Sequence, residues 1–202
     1  MKTFQNKYRI PSTRAPWHGY DGGIYFVTVC TNGMEHYFGT IDDVPQMNLS
    51  EIGRYAHEIY SRCNEFYPYA EIPLYVVMPN HIHAVVFIDA NDDVLTRRDA
   101  INRVSTTGET ETSNTGNEIK QPGGITGWHN PMLKKSLGTV MRGLHARITR
   151  HANKNGIPFA WQRRFHDRIV RDQDELNRIA TYIENNVANW HLDKYYDDRK
   201  DE

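Results

Sequence analysis

Two strand-like runs separated by only two residues constrain the fold of this chain more than any other feature. The first is Pro73-Leu74-Tyr75-Val76-Val77-Met78, and the second is His81-Ile82-His83-Ala84-Val85-Val86-Phe87-Ile88. Both are rich in β-branched and aromatic residues, which favour strands. Pro79-Asn80 forms the connection, and this dipeptide is typical of a turn. The sequence therefore predicts two consecutive strands in the middle of the domain.

Other segments supply the elements around this pair. An earlier strand is predicted over residues 24–31, between Gly22-Gly23 and a turn at Asn32-Gly33. Helices are predicted over residues 50–66 and from Leu133 to about Ala152, where apolar residues recur at helical spacing. A further strand is predicted from residues 159–162 and 168–170.

A last helix begins after Asp172, with Glu175 three residues on as in a capping box, and its buried stripe extends to Trp190. The first six elements have the order strand, helix, strand, strand, helix, strand, which predicts an α+β fold of the ferredoxin-like βαββαβ type. We expect an antiparallel sheet with helices on one face. The C-terminal helix must pack back on the sheet through its apolar stripe.

The length of 202 residues and the 39% hydrophobic content predict one domain, spanning residues 1–202, with a sizeable core. A polar stretch at about residues 89–130 indicates a flexible insertion, and residues 193–202 form an acidic tail. Cys30 and Cys63 make no CxxC pair, which favours a reducing compartment. No membrane span or secretory signal is evident, so we expect a cytoplasmic protein.

The net charge of −1 conceals an uneven distribution, because residues 119–166 contain no Asp or Glu. Segregated positive charge suits a polyanion, since phosphate contacts supply most non-specific affinity for nucleic acids. An ordinary solvated face is the alternative. The candidate DNA-binding residues in and around this stretch are Lys134, Lys135, Arg142, Arg147, Arg150, Arg163 and Arg164, with Arg14 near the amino end.

His81 and His83 are the first candidate metal ligands. Residues two apart in a strand point to the same face, so both imidazoles project together while Ile82 points to the opposite side. Neutral imidazole is a common ligand of divalent metals. A bare His-x-His pair also occurs without a metal, so the spacing by itself leaves metal binding open.

Longer motifs add to this pair. Three segments follow one another in order: Tyr75-Val76-Val77-Met78-Pro79-Asn80-His81-Ile82-His83-Ala84-Val85-Val86, then Phe159-Ala160-Trp161-Gln162-Arg163-Arg164-Phe165-His166-Asp167-Arg168-Ile169-Val170, and then Tyr182-Ile183-Glu184-Asn185-Asn186-Val187-Ala188-Asn189-Trp190. With Tyr8-Arg9-Ile10-Pro11-Ser12-Thr13-Arg14 at the amino end, they resemble the single-tyrosine HUH transposases, and particularly the REP-associated tyrosine transposases. The resemblance covers nearly the whole chain outside the insertion and the tail. Val187 stands where the family usually has proline, which bears on helix termination.

The resemblance implies site residues and a chemistry. Tyr182 would be the nucleophile, and His81, His83 and Asn186 would bind Mg²⁺ or Mn²⁺. Spacing alone does not distinguish Tyr182 from the other tyrosines, although Asn186 lies one turn beyond it on the same helix face. The implied reaction is cleavage and rejoining of single-stranded DNA through a 5′-phosphotyrosine. No general base is identifiable.

The implied partner is single-stranded DNA folded as hairpins or palindromic repeats, bound by a monomer or a homodimer. Trp17 or Trp128 could stack unpaired bases, whereas Trp161 is expected in the core.

Three alternatives remain open from the sequence. One is a catalytically silent protein of the same fold that binds DNA hairpins. Another is a metal-dependent hydrolase of small phosphate esters, which the basic stretch disfavours. The third concerns the metal: His145, His151 or His166 could complete a zinc site with His81 and His83. No Cys or Glu partner shows the spacing typical of zinc sites, which disfavours this alternative.

Overall fold

A computed structural model describes residues 22–89 and 135–196, and the fold is built from these two segments. The strands are β1 (Gly22–Cys30), β2 (Gly39–Ile41), β3 (Met47–Leu49), β4 (Ala70–Val77), β5 (His81–Asp89) and β6 (His166–Ile169). The helices are α1 (Glu51–Ser61), α2 (Cys63–Phe66), α3 (Leu137–Lys154) and α4 (Gln173–Asn185). The insertion predicted at about residues 89–130 lies outside the described residues, apart from Asp89.

The main sheet has four antiparallel strands in the order β4-β5-β1-β6. Without the small β2–β3 hairpin, the chain order of the sheet and its two packed helices is βαββαβ, and the strand order is that of a ferredoxin-like sandwich. The predicted α+β fold is thereby confirmed. The β2–β3 hairpin was not predicted, because its two strands have only three residues each.

Several boundaries differ from the sequence-based prediction. The helix predicted over residues 50–66 is interrupted at Arg62, whose backbone leaves the helical region, and continues as the short α2. Residues 159–162 contribute a single bridge between Thr31 and Trp161 instead of a strand. The predicted turn at Asn32-Gly33 is a 3-10 turn in which Gly33 has φ 64°, a value that favours glycine.

The two faces of the sheet carry different cores. Helices α1 and α3 pack on one face, through residues such as Ile52 and Leu144, against Val27, Ile82 and Ala84 of the central strands. Helix α4 packs on the opposite face against Ile24 and Val85, using its buried residues Leu176, Ala180 and Ile183. Because neighbouring residues of a strand point to opposite faces, His81 and His83 share the face of Val85 and lie on the α4 side.

Helix α4 is fixed at its start by side chains that satisfy free backbone groups. The Asp172 carboxylate accepts a hydrogen bond of 2.7 Å from the Glu175 amide. Glu175, itself buried, accepts one of 2.9 Å from the Arg171 amide and pairs with Arg168 of β6 at 2.5 Å. The predicted cap is present, although Glu175 reaches back to Arg171 and not to Asp172. These contacts tie the start of α4 to the edge strand β6.

Asp172→Ala is expected to lower the free energy of unfolding by about 1 kcal/mol, because the Glu175 amide loses its acceptor at the helix terminus. Urea unfolding followed by circular dichroism measures the change. Asp174→Ala, in the same first turn and exposed, is the matched control and should have a smaller effect. An equal loss in both variants would show that the cap is not what holds this end of α4.

No helix in the described segments is both long enough and apolar enough to span a bilayer. Cys30 and Cys63 are both buried free thiols.

Candidate active site

Strand β5 holds the two predicted metal ligands at the centre of the sheet. Both imidazoles are buried, His81 at 0% and His83 at 1% exposure, and their ring centroids lie 4.4 Å apart. Burial lowers the pKa of both residues, and the neighbouring His83 lowers that of His81 further. Two neutral imidazoles therefore face the same small volume, in the protonation state that binds a divalent cation.

The tautomer of His81 follows from its hydrogen bonds. Asn80 Nδ2 donates to the Tyr195 carbonyl at 2.9 Å, and a carbonyl oxygen can only accept. Asn80 Oδ1 is therefore the atom that lies 2.8 Å from His81 Nδ1, so Nδ1 carries the proton. His81 Nε2 is left with a free lone pair, and it has no hydrogen-bond partner among the described residues although it is fully buried. A buried lone pair without a partner is costly unless it binds a ligand.

His83 is held by the neighbouring strand. Its Nδ1 lies 2.8 Å from the Thr28 hydroxyl of β1, and its Nε2 lies 3.0 Å from the Tyr182 hydroxyl of α4. Phe26 stacks on the imidazole with a centroid distance of 5.3 Å. A hydroxyl can donate or accept, so Thr28 accommodates either tautomer of His83. The ring is thus fixed in position, with Nε2 directed to the centre of the site.

Tyr182 lies on α4 at the border between the buried and exposed faces, with 39% of its surface exposed. Its hydroxyl donates to Asp193 Oδ2 at 2.7 Å. Burial raises the pKa of Tyr182 above its usual value, and the hydrogen bond to the Asp193 carboxylate and the charge of that group raise it further. The phenol is therefore neutral in this arrangement, and a positive charge nearby would favour its ionisation.

Asp193 is the residue of the site that the sequence analysis missed. Its carboxylate is 1% exposed and lies 3.9 Å from His83 Nε2. One oxygen also accepts from Asn186 Nδ2 at 2.7 Å, and the other accepts from the Tyr195 amide at 2.8 Å. Burial raises the pKa of this carboxyl, but His83 and these hydrogen bonds outweigh it and hold the pKa well below its usual range.

Together, His81, His83 and Asp193 form a candidate metal site. One ligand atom from each lies within 4.8 Å of the others, and they form the only such group of His, Cys, Asp or Glu in the described segments. Two neutral imidazoles and one buried carboxylate give the site a net negative charge, which a divalent cation would offset. The donor set suits Mn²⁺ and Mg²⁺ as well as Zn²⁺, so it does not identify the ion.

Asn186, the predicted third ligand, is also in the site and is 2% exposed. Because its Nδ2 donates to Asp193, its Oδ1 is the free end of the amide, and it has no hydrogen-bond partner in the part of the chain that the structure describes. Asn186 therefore orients the carboxylate and retains an oxygen that could contact an ion.

A signal for Asp193 was present in the sequence. The apolar stripe of α4 continues past the end of the helix to Trp190, which is buried and lies 5.9 Å from His81 between ring centroids. A buried tryptophan there means that the chain returns to the sheet after α4. The following 3-10 turn, Trp190–Leu192, then delivers Asp193 to the histidines.

The three histidines proposed to complete a zinc site, His145, His151 and His166, do not join this site. His145 of α3 stacks on Trp161 at 4.4 Å, and His151 stacks on Tyr55 at 3.8 Å. Both lie on the face of the sheet opposite His81 and His83. His166 is exposed on β6 and is not part of the candidate metal group. The alternative of a zinc site completed by these residues has no geometric support.

The candidate DNA-binding residues are distributed over two regions. Arg142 and Arg150 are exposed on α3, and Arg147 of the same helix packs over the Phe66 ring at 3.9 Å. The three arginines lie on the side of the sheet away from Tyr182, because α3 packs on that face, and Lys135 precedes α3 in the chain. Arg163 and Arg164 are exposed in the loop before β6. The structure does not describe Arg14 or Lys134, nor the candidate stacking residues Trp17 and Trp128.

Asn80→Ala is expected to lower the affinity for Mn²⁺ by about 10- to 100-fold, because His81 loses the acceptor that fixes its tautomer. Isothermal titration calorimetry with Mn²⁺ measures the change directly. Asn48→Ala is the matched control, since Asn48 is exposed and bonds only to Asp42 among its side-chain partners in the described residues. Unchanged Mn²⁺ affinity in Asn80→Ala would show that His81 does not bind the ion through Nε2.

Comparison with known proteins supports the fold assignment. No family model matches the chain. An uncharacterised protein of Haemophilus influenzae is 29% identical over 177 residues, covering 87% of this chain and 86% of its own length.

Among solved structures, a REP-associated tyrosine transposase bound to a REP hairpin aligns with 89% of this chain and 76% of its own, at 15% identity and a TM-score of 0.51. The chain therefore shares the fold of that transposase. A protein of Deinococcus radiodurans aligns with a TM-score of 0.36, which is too low to carry an argument.

Proposed function

We propose that this chain is a metal-dependent endonuclease and strand transferase for single-stranded DNA, which cleaves beside DNA hairpins through a covalent 5′-phosphotyrosine at Tyr182. One observation carries the proposal. The Tyr182 hydroxyl lies 3.0 Å from His83 Nε2 and 2.7 Å from Asp193 Oδ2, within the donor set that could bind a cation. A hydrolase of small phosphate esters would use water and has no need of a phenol at this position.

In the proposed site, His81 and His83 would hold the ion through their imidazoles, and Asp193 would supply a carboxylate oxygen. Asn186 orients that carboxylate through its amide nitrogen, and its buried Oδ1 has no hydrogen-bond partner among the described residues. Bound Mg²⁺ or Mn²⁺ would act as a Lewis acid on the scissile phosphate and stabilise the charge that develops there. Thr28 and Asn80 hold the two imidazoles, so the protein supplies the orientation of every donor.

The proposed reaction is balanced without an external energy source. The Tyr182 oxygen forms a bond to phosphorus, and the bond between phosphorus and the 3′ oxygen breaks. The proton lost by Tyr182 is matched by the one that the leaving 3′ oxygen takes up. The phosphotyrosine keeps the diester bond energy, so attack by a 3′-hydroxyl reverses the step and joins strands. Partial exposure leaves the phenol accessible to a DNA strand.

The experiment that tests this function maps the site of attachment. The protein is incubated with hairpin oligonucleotides from its gene's flanks, with Mg²⁺ or with EDTA. Each oligonucleotide carries its label on the fragment that would bear the 5′-phosphate after cleavage. Trypsin then releases residues 179–194, which lie between Arg178 and Lys194 and contain Tyr182 as their single tyrosine. We expect the label on this peptide, in the Mg²⁺ sample alone. Tight binding of the hairpins without an adduct would favour the catalytically silent alternative.

Asp193→Ala is expected to lower the yield of adduct by about 100-fold and to weaken Mn²⁺ binding, because the site loses its only carboxylate among the described residues. Asp193→Asn, which keeps the shape and one oxygen, should retain more activity than Asp193→Ala. Asp167→Ala on the exposed edge strand is the control. A rise in activity on loss of Asp193 would show that this carboxylate covers Tyr182 and does not serve as a ligand.

A further inference from the structure

A cavity beside Tyr182 extends beyond the proposed metal site. Its volume is about 440 Å³, within the range of small-molecule pockets. Its lining includes Tyr182, Asn186 and Asp193, which belong to the site already described. The remaining lining residues have no assigned role: Arg178, Thr181, Asn185, Asn189 and Leu192. A molecule in this cavity would therefore lie directly beside the nucleophile.

The spacing of these residues places them in line with Tyr182. Arg178, Tyr182 and Asn185 are separated by four and three positions, so they share one face of α4. Asn189 follows four positions later, in the turn that continues the helix. This face of α4 is exposed, except where it borders the core. The opposite face, with Leu176 and Ile183, is buried against the sheet. The helix thus presents a polar stripe that leads away from the nucleophile.

Hydrogen bonds determine which atoms the stripe presents. Asn185 Nδ2 donates to the Thr181 carbonyl at 2.7 Å, and Asn189 Nδ2 donates to the Asn185 carbonyl at 3.1 Å. Since carbonyl oxygens only accept, both amides must use their nitrogen for these bonds. Their Oδ1 atoms are left as acceptors for a ligand. Both residues line the cavity, so their amide oxygens are available to a ligand that donates hydrogen bonds.

Two further residues complete the character of the cavity. Arg178 is exposed and makes no ion pair with any residue that the structure describes, so its guanidinium is available to an anion. Leu192 is 73% exposed, which is unusual for leucine and provides an apolar surface at the wall. These groups match the parts of a nucleotide. The cation suits its phosphate, the apolar surface suits the flat face of its base, and the two acceptors suit an amino group on that base.

We propose that this cavity binds the nucleotide next to the scissile phosphate and selects a base that carries an exocyclic amino group. Its base packs on Leu192, its amino group donates to Asn185 Oδ1 and Asn189 Oδ1, and its phosphate contacts Arg178. Cytosine, adenine and guanine carry such a group and thymine does not. The inference rests on the proposed function, because that function brings single-stranded DNA to Tyr182.

The test measures binding without cleavage. Fluorescein-labelled dC10 and dT10 are titrated with the full chain in EDTA, and binding is followed by fluorescence anisotropy. We expect the wild type to bind dC10 about tenfold more tightly than dT10, from two hydrogen bonds of ordinary strength. In the double variant Asn185→Ala, Asn189→Ala the ratio should fall to about one. Asn177→Ala, exposed on the same helix outside the cavity, should keep the wild-type ratio.

Arg178→Ala gives an independent measurement. It should weaken dC10 and dT10 equally and reduce the dependence of log affinity on log salt by about one unit. Equal binding of the two oligonucleotides by the wild type would overturn the inference, as would an unchanged ratio in the double variant. Failure of the proposed function would appear as a missing Tyr182 adduct in the peptide map. Failure of this inference would appear in the ratio of the dC10 and dT10 affinities, which does not depend on the adduct.

Discussion

Tyr182→Phe should abolish the covalent adduct with DNA and lower the cleavage rate by at least about 10³-fold, because it removes the hydroxyl proposed as the nucleophile. The aromatic ring remains, and it makes an edge contact of 6.2 Å with Phe26. We therefore expect the fold to be unchanged and hairpin affinity to stay within about threefold of the wild type. Adduct formation is measured on denaturing gels, and affinity by gel shift.

Tyr75→Phe is the matched control for this variant. This substitution also removes a hydrogen-bonding tyrosine hydroxyl. The Tyr75 hydroxyl bonds to His57 at the edge of the sheet, away from the candidate metal site. The adduct yield of Tyr75→Phe should equal that of the wild type. Cleavage that survives in Tyr182→Phe would contradict the proposal and would favour attack by water, as in a hydrolase. An adduct that survives would assign the nucleophile to another residue.

The second large effect is expected from the two histidines. His81→Ala and His83→Ala should each lower Mn²⁺ affinity by at least about 100-fold and reduce adduct formation by about 10³-fold. His83→Ala should have the broader consequences, because it also removes the neighbour of the Tyr182 hydroxyl. Manganese binding is followed by electron paramagnetic resonance, which reports the ion independently of DNA cleavage.

His191→Ala is the control for the histidine variants, since His191 is exposed and lies outside the candidate metal group. It should bind Mn²⁺ as the wild type does. If His81→Ala retained full manganese affinity, the ion would have to be held by other residues and the site would require revision. Thermal unfolding without metal shows whether a variant has lost its fold, because a buried imidazole is replaced by a smaller side chain.

The sequence predicted the fold well because its strands and helices are long enough to show their own periodicity. Strand β5 and helix α4 have nine and thirteen residues, and each carries a clear apolar pattern. The β2–β3 hairpin has three-residue strands, which are too short for such a pattern. The break at Arg62 was missed for a different reason: apolar residues such as Cys63 continue at helical spacing across it.

The site was predictable only as far as local geometry extends. The strand periodicity placed His81 and His83 on one face, and Tyr182 was identified by the resemblance. Asp193 was missed because its role depends on the path of the chain after α4, which the sequence indicates only through the apolar stripe that continues to Trp190. In the sequence it begins an acidic segment, and the flanking charges are no different in type from those of a solvated tail.

The basic residues show a similar limit. Composition indicated that positive charge is concentrated between residues 119 and 166, but not on which side of the sheet it lies. Arg142 and Arg150 of α3 lie on the face opposite Tyr182, whereas Arg178 lies beside it and belongs to no basic cluster in the sequence. Charge density along a chain does not indicate which cations surround a site, because the packing of helices on the two faces decides this.

The hydrogen bond between Asn80 and the Tyr195 carbonyl joins residues 115 positions apart, and the contact between His83 and Tyr182 joins residues 99 positions apart. An ion held by His81, His83 and Asp193 would close the same long loop as a cross-link. Because the ion would bind only where this loop is already closed, its binding should raise the stability of the docked α4 segment in particular, and the more so at higher metal concentration. Hydrogen exchange in α4 would then slow with metal concentration, while the α1–α3 face would respond less.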